Sequence, residues 1–312
     1  MPFREEILNR LWNYALTQFQ GRLEVLEERT RRENRPPVFT KAAADSNTLI
    51  DPKRTAEERH AILASIPRNR RHRWFRSMKS SQALAQSVFA NLQVMQKTQI
   101  LRHLTTEDGE RPFASGQQLT LEMEHAVAHL GEPRPTEIDV LVSSSEPVAI
   151  ECKWTEREVG SCSRPRLPSE HPEHCPGEYR CKTAGISRCV LSGLGVRYWE
   201  HVPKLFTWSS DFDHLPCPLK DTYQLVRNVL AIGVGPDGCL TSGKAMALLL
   251  YDQRNPDFQD GGKGHAAYTQ VRAALRNPRL LQRCTWQKVL HLMRNDAELG
   301  WLTEHLALKY GL

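Results

Sequence analysis

The sequence predicts an α/β protein in which a mixed β-sheet core is flanked by helices. Two apolar runs, 138–142 and 147–154, are separated by the polar stretch 143–145, which is typical of a β-hairpin. The apolar run Met246–Tyr251 predicts a further, buried strand. Near the start of the chain, apolar residues recur at helical spacing and predict an N-terminal helical region; they are Ile7, Leu11, Tyr14, Ala15 and Phe19.

The elements divide into two regions. Residues 1–112 read as a mainly helical, basic region, and residues 113–312 read as the core. A helix is expected immediately before the hairpin, because its apolar residues recur at helical spacing and Gly131 follows them; they are Leu119, Met123, Val127 and Leu130. A Cys-rich segment at about 160–190 is expected to be an irregular insertion, and a helix is expected at Tyr223–Asn228.

Composition excludes some classes of protein and favours others. Hydrophobic residues make up 40% and charged residues 25% of the chain, as in ordinary globular proteins. No run approaches the roughly 20 apolar residues of a membrane span, and no secretory signal is recognisable, so a cytoplasmic protein without membrane contact is expected. The first 112 residues hold 20 Lys and Arg against 13 Asp and Glu, whereas the other 200 hold 22 against 23. An anionic partner, above all nucleic acid, therefore fits the N-terminal third.

The predicted hairpin contains the candidate catalytic residues. Because side chains alternate between the faces of a strand, Glu151 and Lys153 point to one face and Cys152 to the other. A turn centred on Ser145 places Asp139 opposite Glu151. Directly opposed residues have Cβ atoms about 4.5–5.5 Å apart, so two carboxylates and one ammonium converge.

Two carboxylates this close repel each other unless a cation lies between them. Such oxygen ligands suit Mg²⁺ or Mn²⁺, and Lys153 beside the ion could orient or help to deprotonate a water that attacks a phosphodiester. The alternative is an ordinary amphipathic hairpin with a surface ion pair between Glu151 and Lys153. That alternative leaves carboxylates inside apolar strands, which is costly.

Asp139, followed after eleven residues by Glu151-Cys152-Lys153, resembles the signature of the PD-(D/E)XK, or restriction-endonuclease-like, nuclease superfamily. The resemblance implies a restriction-endonuclease-like sheet core. It also implies metal ligation by Asp139, Glu151 and the backbone carbonyl of Cys152, with Lys153 as the catalytic lysine. Pro135 lies four residues before Asp139, so the proline of the signature is displaced.

The same resemblance implies two further site residues. An acidic residue is expected from the helix before the first strand, and Glu124 fits better than its competitor Glu122. A Gln or Tyr is expected from a helix after the core; Tyr223-Gln224 resembles that element, and Gln224 is the candidate site residue. The implied activity is metal-dependent hydrolysis of DNA, with RNA left open, in a restriction-like or defence role or in DNA repair. A homodimer is a reasonable expectation, since a two-strand break commonly needs two active sites.

A basic segment is the candidate nucleic-acid contact. It runs from Arg68 to Lys79 and contains no acidic residue. Its cations could neutralise phosphates and its aromatic residues could stack on bases, although a solvated basic surface has the same composition. The candidate contact residues are Arg68, Arg70, Arg71, Arg73, Trp74, Arg76 and Lys79.

Four cysteines in the Cys-rich segment form a candidate metal site. Cys162, Cys175, Cys181 and Cys189 fall in a stretch poor in aliphatic residues, which Zn²⁺ bound by four thiolates could order. An iron–sulfur cluster is a second option and scattered thiols are the third. Cys152, Cys217, Cys239 and Cys284 are expected to be packing residues.

The sequence motifs of two other enzyme classes are absent. No phosphate-binding loop and no G-x-S-x-G elbow occurs, so neither ATP use nor serine hydrolysis is supported. Two rivals to the nuclease stay open. One is a non-catalytic, zinc-containing nucleic-acid-binding protein, and the other is a Mg²⁺ phosphohydrolase that acts on small molecules.

Overall fold

The computed structural model describes residues 2–28, 35–113, 118–181, 188–241 and 245–312. A mixed five-stranded β-sheet, with its strands in sequence order, forms the centre of this part of the chain. Neighbours from β1 to β3 are antiparallel, and β3, β4 and β5 are parallel. The strands are β1 Thr120–Val127, β2 Thr136–Ser143, β3 Val148–Cys152, β4 Met246–Tyr251 and β5 Leu281–Thr285.

Helices pack on both faces of this sheet. The N-terminal ones are α1 Phe3–Gln18, α2 Ala56–Ala64, α3 Ser81–Ala85 and α4 Asn91–Val94, with one π-helical turn, Gln86–Ala90, joining the last two. The others are α5 Val190–Gly193, α6 Tyr198–Leu205, α7 Tyr223–Gly233, α8 Lys263–Ala274, α9 Trp286–Met293 and α10 Gly300–Tyr310. The architecture is therefore mixed α/β, as the sequence predicts.

The helix predicted at 119–130 is wrong, because these residues form strand β1. Leu121 and Met123 are buried while Thr120 and Glu122 are exposed, which is the period-two pattern of a strand. The spacing of Leu119, Met123 and Val127 also fits a helix, but Thr120–Val127 pairs antiparallel with β2 and joins the sheet as an edge strand.

The two faces of the sheet bury different clusters. Val140, Ile150 and Leu248 pack on one side with residues of α1, α3, α9 and α10. Ala149 and Leu249 pack on the other side with residues of α6, α7 and α8. The basic N-terminal third thus shares an apolar cluster with the sheet, whereas the boundary at residue 112 stays a prediction.

The Cys-rich segment contains little regular structure in its described part. Between β3 and Cys189, the described residues form one short 3₁₀ turn, Arg164–Arg166, and residues 182–187 lie outside the described part. Its status as an insertion stays a prediction. In the parts of the chain that the structure describes, no helix combines the length and the apolar character needed to cross a bilayer.

Candidate active site

The hairpin β2–β3 brings the two predicted carboxylates opposite each other. Val140 pairs with Ile150, and Val142 pairs with Val148. Extending this register by one position places Asp139 opposite Glu151. Val140 and Ile150 enter the apolar cluster beneath the sheet, so the two acidic residues project from the other face.

Glu151 and Lys153 form a buried ion pair. The Lys153 Nζ lies 2.8 Å from Glu151 Oε1, and the two residues are 8% and 2% exposed. Burial lowers the pKa of Lys153, but the negative charges of Glu151, Glu156 and Asp139 outweigh it, so that the pKa is raised above its usual value. The side chain is therefore a fixed cation at neutral pH, and the pair is not the surface ion pair of the amphipathic alternative.

Asp139 lies at the centre of the acidic cluster. Its Oδ2 accepts a hydrogen bond of 2.7 Å from the backbone amide of Cys152. Burial raises the pKa of Asp139 well above its ordinary value, and the charges of Glu151 and Glu124 raise it further. The neighbouring carboxylates thus make it costly for Asp139 to ionise unless a cation is close.

Glu124 reaches this cluster from β1 rather than from a helix. The pairs Met123–Val140 and His125–Ile138 place Glu124 opposite Asp139. Its φ of +51° is unusual for a residue other than glycine and interrupts the regular strand at this point. Burial, with the charges of Glu137 and Glu151, raises the pKa of Glu124 to about 7. The competitor Glu122 instead pairs with His125, 2.8 Å between Oε2 and Nδ1, and is largely exposed.

Helix α7 closes the site on the face opposite the N-terminal helices. Gln224 Oε1 accepts a hydrogen bond of 2.9 Å from Lys153 Nζ, and Asn228 Nδ2 donates one of 2.6 Å to Glu151 Oε2. The two residues are four apart and thus lie on the same side of the helix. Asn228 is a site residue that was not predicted from the sequence. Its helical spacing from Gln224 is the signal that could have identified it.

Replacing Asn228 tests this contact. We expect Asn228→Ala to lower the free energy of unfolding by about 1–3 kcal/mol, because it leaves a buried carboxylate oxygen without its donor. Asn13→Ala, at an exposed position of α1, is the matched control for the change in helix propensity. Urea unfolding of both variants measures the difference, and equal stabilities would show that the Asn228 contact contributes nothing.

The acidic cluster opens into a cleft of about 960 Å³. Its walls also carry cations from distant parts of the chain, and these are Arg4, Arg70, Lys79, Arg157 and Arg227. Arg70 links the basic segment to β1, because its guanidinium donates a hydrogen bond of 3.0 Å to the carbonyl of Glu124. The cleft therefore combines acids at its floor with cations on its walls.

The basic segment divides into two groups. Arg70, Trp74 and Lys79 line the cleft, and Trp74 is 56% exposed. Arg73 lies over the Trp74 ring, with its Cζ 5.1 Å from the ring centroid. Arg70 also lies within 3.8 Å of the Glu137 carboxylate. Arg68 and Arg71 form ion pairs with Asp45, and Arg76 forms one with Glu27.

The residues that could hold a divalent ion are Glu124, Asp139, Glu151 and the carbonyl of Cys152. Among the described residues, no group of three or more His, Cys, Asp and Glu side chains is arranged to enclose a metal ion. The donor set nevertheless fits a hard cation, because it consists of oxygen atoms and because burial, together with the charge of Glu151, raises the pKa of both Asp139 and Glu124. Binding would require the carboxylates to turn towards a shared ion.

The predicted cysteine set is only partly brought together. Cys162, Cys175 and Cys189 line one small cavity, and the fourth cysteine there is Cys217. Cys181 is not among the residues that line it; its amide donates a hydrogen bond of 2.7 Å to Asp213 Oδ1. Cys152 and Cys284 are buried, and Cys239 is exposed.

Comparison with known proteins agrees with the resemblance seen in Asp139, Glu151 and Lys153. The model of a family described as Restriction Endonuclease associating with ARP matches residues 26–311. No curated protein and no solved structure matches the chain. The match covers nearly the whole chain and is consistent with the restriction-endonuclease-like superfamily. The chain therefore belongs to the family of restriction endonucleases associating with ARP.

Proposed function

We propose that this chain is a metal-dependent nuclease that hydrolyses phosphodiester bonds of DNA in a restriction or other defence role, with DNA repair as the second possibility. One observation carries the proposal: three adjacent strands place Glu124, Asp139 and Glu151 at the floor of one cleft, with Lys153 held beside them. The family membership of the chain supports the same activity.

The proposed cofactor is Mg²⁺ or Mn²⁺, held by Asp139, Glu151 and the carbonyl of Cys152, with Glu124 as an additional ligand. When bound, such an ion supplies a water nucleophile at neutral pH and neutralises charge on the phosphate. The chain's own contribution is to hold these oxygen atoms in place. Asn228 fixes one oxygen of Glu151, and the Cys152 amide fixes one oxygen of Asp139.

Lys153 acts as a cation in this proposal and not as a proton acceptor. Its raised pKa keeps it protonated, and its bonds to Glu151 and Gln224 hold the ammonium in the cleft. From there it can donate a hydrogen bond to a phosphate oxygen and stabilise the charge that develops during hydrolysis. Gln224 is a positioning residue, because it orients Lys153.

The walls of the cleft suit a nucleic acid. Lys79 and Arg157 would neutralise backbone phosphates, and so would Arg4 and Arg70 on leaving their ion-pair partners Asp257 and Glu137. The exposed Trp74 ring would stack on a base. A homodimer that brings two clefts to one duplex is the arrangement we propose for a two-strand break.

Asp139→Asn is the sharpest test of the activity. Because the charge of Asp139 is disfavoured by its neighbours, we expect the isosteric amide to unfold at the same or a higher urea concentration than wild type. We also expect it to lose nicking and cleavage of plasmid DNA in Mg²⁺ or Mn²⁺, as wild type does in chelator. Asp260→Asn, whose side chain is 99% exposed, is the control.

Unchanged cleavage in both chelator and Asp139→Asn would rule out the proposed chemistry. DNA binding by wild type without cleavage in either metal would instead favour the non-catalytic binding protein. Turnover of small phosphodiesters without cleavage of DNA would favour the small-molecule phosphohydrolase.

Trp74→Ala tests the nucleic-acid contact separately. Loss of one stacked base costs about 1–3 kcal/mol, so the affinity for single-stranded DNA should fall by about 5- to 150-fold. Phe212→Ala is the matched control, since Phe212 is 68% exposed and lies outside the cleft. Fluorescence anisotropy with a labelled oligonucleotide, in chelator to prevent cleavage, measures both. An equal affinity of the two variants would exclude Trp74 from the contact.

A further inference from the structure

Four cysteines from distant positions line one small cavity beside the beginning of α7. They are Cys162, Cys175, Cys189 and Cys217, and the cavity has a volume of about 20 Å³. This is close to the space of one water-sized sphere. A single ion fits such a space.

Backbone amides point at three of the four sulfur atoms. The Arg164 amide donates to Cys162, the Leu191 amide to Cys189 and the Leu219 amide to Cys217. In each case the donor lies two residues after the cysteine. Such amides would serve as hydrogen-bond donors to the sulfur ligands of a bound metal.

The same cavity lies where three loops meet. The Cys162 amide donates to the Lys220 carbonyl and the Cys217 amide to the Gly177 carbonyl, each over 2.8 Å. Arg164, Lys220 and Glu178 also line the cavity, and Arg164 forms an ion pair with Glu173. Lys220 would offset part of the net double negative charge of one divalent ion bound by four thiolates.

We propose that Cys162, Cys175, Cys189 and Cys217 bind one structural Zn²⁺ as four thiolates. Binding releases four protons to solvent and involves no change of oxidation state. The four side chains do not enclose an ion as they stand among the described residues, so their sulfur atoms turn into the cavity when the ion binds. Cys217, not Cys181, is the fourth ligand. This proposal does not rest on the proposed nuclease activity.

The ion would fasten the Cys-rich loops to the helix that completes the cleft. Cys217 lies six residues before Tyr223, where α7 begins. The next residue, Gln224, donates its amide hydrogen to the Gly160 carbonyl over 3.3 Å, two residues before Cys162. Loss of the ion would therefore loosen the beginning of α7 and, with it, the contact of Gln224 with Lys153.

Metal content of the purified full-length chain tests the site. We expect about one zinc per chain and neither iron nor sulfide in wild type, measured by mass spectrometry after exhaustive dialysis. Cys217→Ser should lose most of the zinc, whereas Cys181→Ser and the exposed-position control Cys239→Ser should retain it. Limited proteolysis should cut the Cys217→Ser protein faster within residues 160–220 than the two controls.

Should Cys217→Ser fail to fold, the number of thiolate ligands can be measured on the wild-type protein with Co²⁺ in place of Zn²⁺. Refolding with Co²⁺ should give the intense thiolate-to-cobalt charge-transfer bands and visible bands of a tetrahedral four-thiolate site. Zinc retained in Cys217→Ser but lost in Cys181→Ser would overturn the ligand set. A brown protein with iron and sulfide, or a wild-type chain without metal, would contradict the proposal that this site binds zinc.

Discussion

Lys153→Ala is expected to lower the rate of DNA cleavage at saturating DNA by about 100- to 1,000-fold, the loss typical of removing one group that stabilises developing charge. The reason is structural. Among the described residues, the Lys153 ammonium is the one Lys or Arg group in contact with the Glu151 carboxylate, and Gln224 holds it in the cleft. The affinity for DNA in chelator should change little, because the cations on the cleft walls remain.

The same substitution should also destabilise the protein. It leaves Glu151 buried without its cation, at a cost of about 3–5 kcal/mol in the free energy of unfolding. Lys153→Ala/Glu151→Gln removes both charges and should recover much of that stability while remaining inactive. Lys53→Ala, at an exposed position, is the control for both measurements. An active double variant would show that neither charge takes part in cleavage.

Lys309 predicts the largest dependence of stability on pH. Its side chain is fully buried, and its Nζ donates to the carbonyl and to Oδ1 of Asn47 over 2.6 and 2.8 Å. None of the ion pairs found among the described residues includes it. Burial lowers the pKa of Lys309 to about 7.

The direction of the effect follows from proton binding. Between pH of about 7 and 10 the unfolded chain keeps the proton of Lys309 and the folded chain has lost it. Stability from this group therefore rises with pH across that window and is flat below it, with a total range of at most roughly 4–5 kcal/mol.

Lys309→Met removes this dependence. The free energy of unfolding of wild type minus that of Lys309→Met should increase from pH 7 to pH 9, since the contributions of other titrating groups cancel in the difference. Urea unfolding at several pH values measures it, with Lys53→Met as the control. A difference that stays constant with pH would show that Lys309 keeps an ordinary pKa in the folded protein.

The centre of the site was predictable because the hairpin is a local structure. A polar turn between two apolar runs fixes both the pairing and the faces of Asp139 and Glu151, and the register of β2 with β3 agrees with it. Helix α7 and strand β4 also follow from local patterns.

Other parts of the site depend on contacts between distant segments. Glu124 lies in a strand whose apolar spacing also fits a helix, so pairing with β2 decides between them. Asn228 meets Glu151 only because the long connection between β3 and β4 folds α7 across the sheet. Cys217 joins Cys162 by the same route, which no spacing rule for adjacent cysteines anticipates.

The bond from Arg70 to the Glu124 carbonyl joins the segment that carries Trp74 to the strand that carries an acid of the cleft. Movement of one end of this connection therefore changes the free energy of the other end. Thermodynamic linkage then requires reciprocity: if a divalent ion bound at the acids raises the affinity for a polynucleotide by some factor, the polynucleotide raises the affinity for the ion by the same factor.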